Sequence, residues 1–163
     1  MIGAALIAVM ALSPASKGCP AERAHYVMRG ASGITAEFRA IDSGKDWPSN
    51  LVFAIHVRAS GRSYWILPWD GGTDYSQHLA STSDPARKDW IAPSPDGGPR
   101  PLGDLDYIAT DRRYNVIGAA PMRGVPAPAH ILLPGLGDAL WHGPKPESRD
   151  SVPKQFFDLM RCS

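Results

Sequence analysis

This chain carries two cysteines, Cys19 and Cys162, and they stand near its opposite ends. A bridge between them would bring the start and finish of one folded unit side by side, which narrows the possible architectures more than any other single feature. The alternative is two free thiols, and the segment before Cys19 argues against it. Residues 2–12 form an unbroken apolar run of 11 residues, followed by Ser13-Pro14-Ala15. That is too short to cross a hydrocarbon core of about 30 Å, which takes about 20 helical residues. It suits the core of an export signal, with the small residues Ser13 and Ala15, or Ser16 and Gly18, before the cut. No Lys or Arg precedes the run, a departure from the usual charged start. Residues 1–18 are therefore expected to be a signal peptide. Residues 19–163 are expected to be one periplasmic or secreted domain, in a compartment where thiols oxidise and Cys19 pairs with Cys162. The competing lipoprotein reading, with Cys19 acylated, fits poorly. Ser16 and Lys17 stand where that signal has an aliphatic and a small uncharged residue. No stable membrane span is expected in the mature form.

Residues 19–163 are long enough for one real core. The net charge is +1, which leaves no global field for nucleic acid or an anionic membrane. Gly and Pro number 16 each, and of the 16 acidic residues 13 are Asp. Gly and Pro break helices, and Asp favours turns where Glu favours helices, so the composition points to a β-rich chain with long loops. Period-two patterns mark the strands. Residues 25–29 and 34–42 flank Gly30-Ala31-Ser32-Gly33 as a hairpin, and residues 51–58 and 63–67 flank Ser60-Gly61 as another. Shorter strands are expected at 105–109, 115–118 and 130–133. Residues 73–103 show no sustained period and read as a long loop, a place for ligand contact. Residues 135–142 read as a turn or one helical turn. Near the C-terminus, Ser151 as cap, Pro153 in a first turn and the apolar Phe156, Phe157, Leu159 and Met160 predict a short helix running to about Arg161. The expected fold is mainly β: an antiparallel sandwich or partly closed barrel with long Pro/Gly-rich loops and that one short C-terminal helix.

Few residues carry a chemical signature. Gly135-Leu136-Gly137 lacks the third glycine and the βαβ setting of a dinucleotide loop, and reads as a turn. No G-x-S-x-G elbow, P-loop, H-E-x-x-H or C-x-x-C is present. Asp96, Asp104, Asp106 and Asp111 lack the order of a calcium loop and read as turn residues. Two sets remain. Asp70, Asp74 and His78 leave the end of a strand whose partner carries His56, and a helical turn would put Asp74 and His78 on one face. Such a set could pair a base with its orienting acid or bind a divalent ion; solvated turn aspartates are the alternative. Trp65, Trp69, Tyr75 and Trp90 could form a platform for a sugar, a peptide or a planar ring, or could be core. The leading expectation is an exported binding or interaction domain whose partner is a small molecule, glycan or protein, with no cofactor. A small hydrolase or metal-dependent enzyme using His56, Asp70, Asp74 and His78 is the second. A structural envelope protein is the third.

Overall fold

The computed structural model describes residues 18–70, 77–143 and 146–163. The expected signal peptide, all but Gly18, lies outside these residues. Among them run nine strands: β1 (Ala24–Met28), β2 (Ala31–Ala40), β3 (Leu51–Val57), β4 (Arg62–Asp70), β5 (Gln77–Thr82), β6 (Asp104–Asp106), β7 (Ile108–Thr110), β8 (His130–Leu132) and β9 (Phe157–Cys162). One short helix, α1 (Leu136–Trp141), follows β8. Every pairing is antiparallel, in the order β6-β5-β4-β3-β2-β1-β9-β8-β7.

The two outermost strands of that order, β6 and β7, are separated in the chain by Tyr107 alone. Leu105, Tyr107 and Ala109 alternate into the same buried cluster. Residues 104–110 thus behave as one extended run that pairs with β5 through its first half and with β8 through its second. The sheet curls into a nearly closed barrel with eight walls. A barrel of that size is just wide enough for side chains to fill it, and here they do. Tyr26, Phe38, Phe53 and Phe157 are almost wholly buried and meet edge-on or tilted, with ring centroids 4.7 to 5.9 Å apart. Leu136 and Leu140 of α1 join the same core, so α1 plugs the end where β8 finishes and β9 begins. Gly137 permits this, because a Cβ there would collide with the Val152 carbonyl oxygen.

A second, smaller core lies outside the barrel. Val52, Leu67 and Ala80 point outward from β3, β4 and β5 and are buried with Trp47. The loops around residues 41–50 and 83–103 fold over that face. The Trp47 indole donates to the Pro93 carbonyl at 2.8 Å, joining one loop to the other.

Cys19 and Cys162 are bridged, with their Cα atoms 5.7 Å apart. With both sulfurs in the bridge, Cys19 has no thiol left for a lipid. Among the described residues no helix is long and apolar enough to cross a membrane.

Three expectations are corrected. The segment expected to be a C-terminal helix is β9, which pairs with β1 from Cys162↔Ala24 to Phe157↔Met28 and with β8 at Asp158 and Phe157. Short apolar runs do not distinguish strand from helix by period, and two waiting strand edges satisfy this backbone on both sides. β5 falls inside the stretch expected to be loop. Its one large apolar side chain, Leu79, gives no visible period, but ladders from β4 and β6 hold it. Residues 115–118 form no strand and make one bridge, Val116 to Thr110.

Candidate functional site

A filled barrel leaves its clefts at the ends and on the outside. One of them is a pocket of about 310 Å³ at the end plugged by α1. The start of β4 supplies Arg62, Ser63, Tyr64 and Trp65, the end of β5 supplies Ser81 and Thr82, and Leu102 and Leu140 close it from the loop and the helix. Ligand pockets typically begin near this size and favour the mouths of barrels.

The polar wall is built around Asp150, a carboxylate only 6 % exposed. Tyr64 donates its hydroxyl to Asp150 at 2.5 Å, Ser60 donates at 2.9 Å, and the Arg62 guanidinium sits 3.2 Å away. Arg62 also donates to the carbonyls of Glu147 and Arg149, at 2.9 and 3.1 Å. A buried carboxylate needs such partners, because desolvation without them costs several kcal/mol, roughly. Burial, then the bond to Asp150, pushes the Tyr64 phenol up to about 12. Ser81 donates to the Gly103 carbonyl and accepts from Leu102 N–H, both at 2.8 Å, which ties the pocket's loop wall to β5. Arg62 is matched by Asp150, and Asp84 also lines the pocket.

A shallower groove of about 570 Å³ adjoins it along the loop at 83–101 and shares Thr82, Ser83 and Pro101 with the pocket. Trp90 lines that groove and donates its indole N–H to Thr82 Oγ1 at 3.0 Å.

The expected aromatic platform comes together in part. Trp65, Trp69 and Trp90 are all partly buried against the outer core. Trp65 lines the pocket, but Arg39 lies over its ring at 5.2 Å from the centroid and His56 stands edge-on to it. Trp69 packs against Trp47 and His78, so it serves the loop cover. Tyr75 lies outside the described residues.

The expected His/Asp set does not meet. His56 is opposite Ser63 at one end of β4, and His78 is opposite Trp69 near the other. Six positions along a strand separate them by about 20 Å. His56 bonds Ser63 Oγ at 2.8 Å and stands 3.7 Å from Glu37, which also pairs with His25 at 2.9 Å. His78 sits 3.0 Å from Asp106. Asp74 and the Asp70 side chain lie outside the described residues. Among those described, no group of three His, Cys, Asp or Glu side chains is placed to hold a metal ion.

Sequence reasoning missed Arg62, Tyr64 as a pocket wall, and Asp150. Asp150 lies 86 residues from Tyr64, and no local spacing announces a carboxylate that a helix plug delivers to a strand end. No family model matches this chain, and no curated protein or solved structure does either.

Proposed function

We propose that this protein is an exported binding module that takes a small neutral ring, sugar or aromatic, into the pocket at the plugged end of the barrel. What supports the reading is the pocket itself: an apolar wall of Leu102 and Leu140 faces a hydrogen-bonding wall of Arg62, Ser63 and Tyr64. The disulfide is compatible with an oxidising compartment and so with export. The adjoining groove under Trp90 gives a longer ligand a second resting surface, which is the role anticipated for the long loop.

Two probes test this. N-Phenyl-1-naphthylamine, a neutral apolar fluorophore, should brighten saturably, or N-acetylglucosamine oligomers should give a saturable heat. The variant Leu102→Trp fills the pocket and should weaken whichever binds by about tenfold or more, a change of about 1.4 kcal/mol. No saturable signal from either probe, or one indifferent to that variant, would remove the proposal.

A further inference from the structure

The whole-chain charge of +1 conceals a local excess. Five arginines are matched with carboxylates: Arg29 with Asp158, Arg39 with Glu37, Arg62 with Asp150, Arg87 with Asp89 and Arg100 with Asp104. Arg23, Arg112 and Arg161 are not. These three converge on one groove of about 900 Å³ beside the disulfide, at the end of the barrel opposite α1, and no Asp or Glu side chain lines it among the described residues. Arg23 donates Nε to a main-chain oxygen of Ser163, and the side chains of Arg112 and Arg161 make no hydrogen bond or ion pair with any described residue.

The wall of this groove is held in place. His130 is bound through Nδ1 to Asp158 at 2.6 Å, which leaves Nε2 as the ring nitrogen without a hydrogen bond to any described residue. Tyr114 stacks on the His130 ring at 4.3 Å and 3°. Arg29 bonds both carboxylate oxygens of Asp158 at 2.8 and 2.9 Å and donates to the Tyr114 hydroxyl at 2.6 Å. Tyr114 has φ 63°, a left-handed conformation that a bulky side chain adopts at a cost and that neighbouring contacts must sustain. The loop so anchored carries Arg112. On the other side, β9 has a bulge between its pairings with His25 and Tyr26, so that Met160 is extra. The disulfide fixes the end of the same strand, and Arg161 lies between bulge and bridge. Leu159 and Met160 add an apolar floor.

We propose that this groove binds a phosphate group. Guanidinium forks match phosphate oxygens in geometry, and Arg112 and Arg161 bring two of them, unengaged by any described residue, beside Arg23 and the His130 ring. The apolar floor accommodates the stem of an amphiphile, so the phosphate could be a lipid headgroup or a free polyphosphate, and the experiment separates the two.

The full disulfide-bonded chain is titrated calorimetrically with sodium pyrophosphate at low ionic strength. It is also sedimented with phosphatidylglycerol–phosphatidylcholine vesicles and with phosphatidylcholine alone. Saturable pyrophosphate binding without vesicle binding assigns a free phosphate; binding to the anionic vesicles alone or in addition assigns a headgroup. In either case Arg112→Gln combined with Arg161→Gln should weaken binding by about tenfold or more, as expected for losing two charge-assisted contacts. Both side chains are exposed, so the variant should fold, and Arg87→Gln on the far loop should bind as the parent does. Binding in neither arm, or binding that the double variant retains, overturns the proposal.

Discussion

Asp150 shows how one side chain can organise a barrel end. It arrives from the segment after α1, is nearly inaccessible, and takes hydrogen bonds from β4 and from the turn before it. Losing one donor to a buried carboxylate costs more than losing a surface contact, because the remaining oxygen has no water to turn to. Tyr64→Phe should therefore lower stability by about 1.5–3 kcal/mol in urea denaturation; a loss under about 0.5 kcal/mol, the surface-substitution range, would mean Asp150 is satisfied without it. The same phenol gives a pH signature. Its raised value of about 12 means folding favours the protonated form. That stabilisation is complete below the usual tyrosine value near 10 and is lost as pH rises through 12. An absorbance titration should resolve two tyrosines ionising late, because burial also pushes the Tyr26 phenol up, and Tyr64→Phe should remove the earlier of those two steps. The acid limb has the opposite sign. Burial opposes charge on Glu37, but Arg39, His25 and His56 outweigh it and hold its carboxyl below the usual range. The Arg29 hydrogen bond does the same for Asp158. Both groups stabilise the fold at neutral pH and cease to do so as pH falls through their depressed values.

At the scale of elements, β2 was legible because it is long and half buried, so its side chains alternate visibly. Ile34, Ala36 and Phe38 face the core with Thr35, Glu37 and Arg39 between them. β3, buried on both faces along most of its length, was legible as an apolar run bounded by turn residues. β5 and β9 were not. Each exists because partner strands offer unpaired backbone, β4 and β6 to β5 and the more distant β1 and β8 to β9, and pairing energy leaves no local trace. The aromatic platform was half legible for a related reason. The sequence shows that Trp65, Trp69 and Trp90 are near strands and loops, but not that Trp47 would come from another loop and draw them onto a shared outer core. Trp47 is 1 % exposed and pins both loops. Trp47→Ala should cost about 3–5 kcal/mol, the range for removing a large buried aromatic. It should also raise amide exchange across residues 83–103 while leaving β1, β2 and β9 protected. Uniform exchange over the whole chain would show instead that the outer loops and the barrel melt as one unit.

For the whole molecule, eight walls and a filled interior determine where ligands can go. Neither proposed site lies inside the barrel: one sits by the helix plug and the other by the disulfide, at opposite ends. The disulfide's position is informative in the same way. Cys162 is directly opposite Ala24 in the β1–β9 ladder, so the native fold already holds the two termini of the domain together by backbone pairing. The bridge adds little to that native geometry and acts chiefly on the unfolded chain, whose ends it joins across 143 residues. In the chain-entropy picture a loop of this length is worth about 5 kcal/mol. Cys19→Ser combined with Cys162→Ser should keep the circular dichroism of the parent and lower the urea midpoint substantially. Should the midpoint stay where it was, the unfolded chain must already keep its ends close, and the ladder rather than the bridge would be what secures the barrel's closure.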